Sequence, residues 1–120
     1  MDEPLVSASY CHCTRCQRRT GAAASANGRV APGAFRIVAG EEHVHVWAPD
    51  GGFAKSFCEL CGSALFSRDP ANPDTVGIRL GSLDADPGIR PQWRQFVANV
   101  AAWEPIPDDG LPRHPAGRTL

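Results

Sequence analysis

No stretch of this 120-residue chain approaches the roughly 18 consecutive apolar residues of a membrane span, which excludes a helical membrane protein. Charge of one sign is lacking too: 12 Lys and Arg stand against 13 Asp and Glu, and a net charge of −1 gives no field to draw in nucleic acid or an anionic membrane. Neither is expected as a partner. Residues 1–10 carry acidic residues and Pro4 where a secretory leader would carry basic residues and an apolar run, so a cytoplasmic location is expected. Internal repeats, low-complexity runs and linkers are absent, and the length fits one domain over residues 1–120. Long helices are disfavoured, because 12 Gly and 11 Pro are spread from end to end.

What is there is short alternating segments bounded by turn residues, the pattern of strands. Residues 35–39 form an apolar run ending at Gly40. Residues 43–48 alternate, with Val44, Val46 and Ala48 on one side and His43, His45 and Trp47 on the other, which predicts a half-buried strand. Asp50, Gly51 and Gly52 supply a turn into residues 53–57, with Phe53, Lys55 and Phe57 on one face, and residues 64–67 return antiparallel to them. Residues 75–80 place Val76, Ile78 and Leu80 inward, and residues 95–100 make a last apolar segment before Trp103 and a Pro-rich coil from Pro105. One helix of a turn or two is predicted, starting near Thr14 as its cap and ending at Gly21, which tolerates positive φ. Together these elements predict an all-β class with short helical turns.

Five cysteines cannot all pair within one chain, and a reducing compartment keeps thiols free, so metal binding is the leading explanation. Cys11, Cys13 and Cys16 stand as C-H-C-T-R-C, three thiols within six residues, a density that suits thiolate coordination of zinc. Three ligands leave a tetrahedral position open for water or a substrate sulfur, as in catalytic zinc sites. Cys58 and Cys61 form a second pair at a hairpin tip, with Gly62 letting the backbone turn as in a zinc knuckle. A redox C-x-x-C of the thioredoxin type would open a helix in a βαβ unit, and no such unit is visible.

Among the neighbours, His12 points away from Cys11 and Cys13 in an extended chain and is expected to be supporting or on the surface. His43 and His45 share a strand face expected in solvent. Arg15, Arg18 and Arg19 offset thiolate charge, and one of them could grip a ligand carboxylate. Trp47, Trp93 and Trp103 are expected to pack, and Asp84 and Asp108 to bond nearby backbone amides.

With these residues in place, the chain resembles the glutathione-dependent formaldehyde-activating enzymes, whose domain is known as CENP-V/GFA. The resemblance runs from residue 10 to about residue 115 and rests on four motifs. They are C-H-C-T-R-C-Q-R-R-T-G over residues 11–21, F-C-E-L-C-G-S-A-L-F over 57–66, G-S-L-D over 81–84 and W-E-P-I-P-D-D-G-L-P over 103–112. It implies a β-tent of several small antiparallel sheets, zinc on Cys11, Cys13 and Cys16 with an open position facing glutathione or its formaldehyde adduct, and carbon-sulfur lyase chemistry. It also implies a structural zinc shared by Cys58, Cys61 and a C-x-C near the N-terminus, and this sequence has no such C-x-C. Either Cys58 and Cys61 stay as thiols, or His43 or His45 substitutes, or the natural start lies upstream. Arg94 stands where the family often has a histidine. Three readings follow: a lyase-like enzyme acting on a small thiol adduct, a non-catalytic zinc-stabilised binding module, and a thiol redox protein working through Cys58 and Cys61. A homodimer is also expected, through a sheet edge left bare at the N-terminus.

Overall fold

The structure, a computed structural model, describes residues 3–117. Seven strands are hydrogen-bonded in one series, in the order β3-β4-β5-β6-β2-β1-β7. They are β1 (Ser7–Cys11), β2 (Ser25–Arg29), β3 (Val44–Trp47), β4 (Ala54–Cys58), β5 (Ala64–Asp69), β6 (Asn72–Arg79) and β7 (Arg94–Gln95), with one helix, α1 (Thr14–Thr20). Neighbours are antiparallel except β1 and β7, which run parallel. The mainly β class is therefore what the chain adopts. Its strands form a continuous series rather than the several small sheets that the resemblance implied. Among the described residues no helix is long and apolar enough to cross a membrane.

Because strand side chains alternate, the sheet has two unlike faces. On one lies the core, built from Val76 and Ile78 of β6, Phe66 of β5, Val30 and Ala34 after β2, and Leu5 before β1. Leu5 packs directly over Gly28 of β2, where a Cβ would come within 2.5 Å of Leu5 Cδ1 and make that side chain shift. The apolar run at 35–39 is not a strand. Phe35 and Ile37 turn onto the core instead, with the Phe35 ring 4.6 Å from that of Phe66, so the segment covers the sheet rather than extending it.

Other expectations shift in smaller ways. The strand expected over 43–48 begins as a 3-10 turn at Glu41–His43, and β3 is an exposed edge whose Val46 and Trp47 face solvent, not a half-buried strand. Residues 95–100 shorten to the two residues of β7 and a 3-10 turn at Val97–Asn99. The bare N-terminal edge does not exist, because β7 occupies the outer side of β1. Trp93 packs as expected, while Trp47 and Trp103 are exposed. The aspartates that bond nearby amides are Asp69, Asp86 and Asp109, to Ala71, Gly88 and Leu111, rather than Asp84 and Asp108. β1 and β2 went unforeseen: S-A-S-Y-C and S-A-N-G-R are small and polar, and they become strands because neighbours on both sides complete their ladders.

The tail from Pro105 runs as coil and is tied back at β7. The Arg94 amide donates to the Pro112 carbonyl at 2.9 Å, the His114 amide to the Arg94 carbonyl at 2.8 Å, and the Arg94 guanidinium to Asp109 Oδ2 through both Nε (3.0 Å) and Nη2 (2.8 Å). The Arg94 bond holds the Asp109 carboxyl below its ordinary value of 3.8. A depressed carboxyl stabilises the fold fully above its unfolded value and loses that contribution as the pH falls through the lower one. Asp109→Asn should therefore lower the melting temperature at pH 7, and the deficit should shrink as the pH is taken below 3.8. For the core, Ile78→Ala should cost about 2–5 kcal/mol, read as a lower urea midpoint at unchanged slope.

Candidate metal centre and its cleft

The junction between β1 and α1 brings three thiols together. Cys11 ends β1, Cys13 is the residue preceding the helix and Cys16 lies in its first turn. Extended chain through residue 13 sends Cys11 and Cys13 to one side and His12 to the other, and the helical turn swings Cys16 back toward them. All three Sγ atoms lie within 4.8 Å of one another, and Cys11 and Cys16 are buried. The cluster can hold a metal ion. The cap is Cys13 rather than Thr14: its Sγ accepts the Cys16 amide at 3.2 Å, so a metal-ligand candidate also starts the helix. Gly21 closes the helix at φ 66, donating to the Gln17 carbonyl.

Cys13 receives hydrogen bonds from the thiols of Cys11 and Cys16 and from backbone amides, which pulls it far below a free thiol. Donating to Cys13 and Cys16, together with burial, drives Cys11 the opposite way. Close sulfurs sharing protons are the arrangement a soft dication would exploit by displacing those protons.

Behind the cluster, His12 is buried, not on the surface. Its amide donates to Gln95 O at 3.0 Å and its carbonyl accepts from Gln17 Nε2 at 2.8 Å. Its Nε2 accepts from Arg94 Nη1 at 3.1 Å, which fixes a neutral ring, and burial followed by the Arg94 charge lowers it from 6.5. Arg94, with its guanidinium 4.3 Å from the centre of the Tyr10 ring, thus links His12 to Asp109 and sits away from the sulfurs.

In front of the cluster, the polar face of the sheet forms a cleft of about 500 Å³, onto which Cys11, Cys13 and Cys16 open. Its remaining lining follows the strand registers. Ser9, Asn27 and Arg79 stand in one row across β1, β2 and β6, and Ser7 lies opposite Arg29. Lys55 and Phe53 close one side, and Trp93 and Phe96 close another. Among the described residues four cations, Arg15, Arg29, Lys55 and Arg79, line the cleft, and no aspartate, glutamate or histidine does. Arg15 is the one of the three helix arginines that reaches it; Arg18 is exposed, and Arg19 lies over the Trp47 and Phe57 rings at 5.9 and 5.5 Å. Sequence reasoning missed Asn27, Arg29, Lys55 and Arg79 as site residues. The signal was present, since Arg79 alternates with the inward Ile78 and must face the other side of the sheet.

The second pair is apart from this cleft. Cys58 and Cys61 occupy the β4–β5 hairpin tip, with Gly62 at φ 78 and Cys61 Sγ 3.0 Å from Ser63 Oγ. Among the described residues no third cysteine, histidine or carboxylate joins them within 4.8 Å. His43 bonds Glu59 instead, Nδ1 to Oε1 at 3.1 Å, and His45 pairs with the same carboxylate.

A search of the curated proteins finds no match to the chain. Among solved structures, the fold is similar to that of a protein from Rhodobacter sphaeroides, at 23% identity and a TM-score of 0.51 over 91% of this chain and 81% of that one. A sequence model described as glutathione-dependent formaldehyde-activating enzyme matches residues 1–99, which contain the three-cysteine cluster and all four cations of the cleft. The chain belongs to the glutathione-dependent formaldehyde-activating enzyme family.

Proposed function

We propose that this is a cytoplasmic, zinc-binding, carbon-sulfur lyase-like enzyme that acts on an adduct of glutathione or another small thiol, with Cys11, Cys13 and Cys16 as the metal ligands. The observation that carries the reading is the convergence of three sulfurs on a cleft otherwise walled by cations and apolar side chains. Tetrahedral thiolates about 2.3 Å from zinc lie roughly 3.8 Å apart, a spacing the cluster reaches with small side-chain movements from its 4.8 Å limit. Zinc held there would supply a Lewis acid and leave one position for a sulfur or oxygen of the substrate.

The chain's own residues do the rest. Arg15, Arg29, Lys55 and Arg79 receive carboxylates, and Trp93 and Phe96 give the adduct an apolar wall. In the reaction class a thiol sulfur bonds to an aldehyde carbon while the carbonyl oxygen takes up the thiol proton, and the reverse breaks the same bond. One observation favours a second reading, a zinc-stabilised binding module. Among the described residues no carboxylate or imidazole lines the cleft to move that proton.

Elemental analysis of protein purified without added metal should give about one zinc per chain, lost in Cys13→Ser together with formation of the formaldehyde adduct of glutathione. Native protein free of zinc contradicts the proposal. Zinc bound without any adduct made or broken favours the binding module.

A further inference from the structure

The cleft is charged in one direction only. Its four cations have no ion-pair partner among the described residues, where Arg90 and Arg94 are each paired with an aspartate. Arg79 is the strongest case, because only 8% of it is exposed. Its Nη1 donates to Asn27 Oδ1, and its buried Nε has no partner. Asn27 is held in the orientation this needs, since its Nδ2 donates to Ser25 Oγ at 2.8 Å. A buried guanidinium that lines a cleft, fixed by a neutral amide and without a carboxylate partner among the described residues, is arranged to receive an anion.

The other cations are fixed as well. Lys55 and Arg29 lie 5.5 and 5.9 Å from the centre of the Phe53 ring, and Arg15 lies 5.8 Å from that of Trp47. Gly52 makes room for Arg15, since a Cβ there would overlap its Nη1. Burial lowers Lys55 and Arg79 and neighbouring cations add to it, while the cysteine sulfurs beside them pull the other way. The cysteines offset little: a dication with three thiolates carries a net charge of −1, against four cations. The surplus exceeds what a single carboxylate answers, and among the described residues no carboxylate lines the cleft to pair with an ammonium.

We propose that the cleft selects thiol adducts bearing two or more anionic groups and no ammonium, so that an acidic thiol without a free amine is preferred to glutathione itself. The specificity rests on reading Cys11, Cys13 and Cys16 as the centre the sulfur approaches. An ammonium brought into this cleft loses water, meets cations and finds no carboxylate, whereas each added anion meets a preformed partner.

The test uses thioethers, which cannot exchange their carbon-sulfur bond, on the full zinc-loaded chain by calorimetry: S-methylglutathione, its N-acetyl derivative and (methylthio)succinate. The N-acetyl compound should bind at least about tenfold more tightly than S-methylglutathione, (methylthio)succinate should bind despite its small size, and both advantages should shrink with added salt. Arg79→Gln should weaken the dianions about tenfold or more, and Lys55→Gln, at a half-buried site, should do so even if the first variant folds poorly. Equal or tighter binding of S-methylglutathione, or dianion affinity unchanged in a folded Lys55→Gln, overturns the proposal. Because no turnover is read, the outcome is independent of catalysis. Charge selection in a protein without zinc would retain this inference and remove the metal reading, and zinc with no preference against the ammonium would do the reverse.

Discussion

Everything at the centre of this protein depends on three sulfurs being held within 4.8 Å of one another. Nothing in a thiol favours that crowding, so the backbone imposes it. β1 must end where α1 begins, and the segment between them must be pinned from behind. His12 does the pinning: its amide and carbonyl are bonded to Gln95 and Gln17, and its ring to Arg94, which is anchored in turn by Asp109 from the tail. Through that chain of bonds, the coil beyond Pro105 helps to hold Cys11 and Cys13 apart from solvent relaxation, though it touches neither sulfur.

A second constraint follows from strand alternation. Every residue that β6 sends into the core obliges its neighbour to face the opposite side, so Val76 and Ile78 fill one face while Gly77 and Arg79 shape the other. The same alternation in β1 places Ser7, Ser9 and Cys11 on the cleft side and Ala8 among the buried residues. The cleft is thus the reverse face of the core. Three of its four cations are carried on strands and the fourth, Arg15, on α1, rather than on loops, which suits recognition of charge at fixed spacing.

This alternation also explains what could be read in the sequence and what could not. The cysteine motif, α1 with its Gly21 end, the β4–β5 hairpin and the inward residues of β6 were legible because each depends on neighbours close in the chain. Residues 35–39 misled, since an apolar alternating run looks the same whether it pairs as a strand or lies across one. β1 and β2 were hidden because their identity comes from partners far away: Ser9 pairs with Asn27, and Asn27 with Arg79. For the same reason the gathering of the cations around the cysteines was hidden, although alternation with Ile78 already put Arg79 on the far face. Arg15 is near the cysteines in sequence, but Arg29, Lys55 and Arg79 meet them only once the five strands from β4 to β1 are in register.

The central claim is that Cys11, Cys13 and Cys16 form one metal site with a position open to the cleft. X-ray absorption at the zinc edge of the loaded protein tests it most directly. The account predicts three sulfur neighbours at about 2.3 Å and a single oxygen or nitrogen neighbour, the latter replaced by sulfur when an acidic thiol is added. A shell of four sulfurs in the protein alone, unchanged by added thiol, would mean a closed structural site and would contradict it.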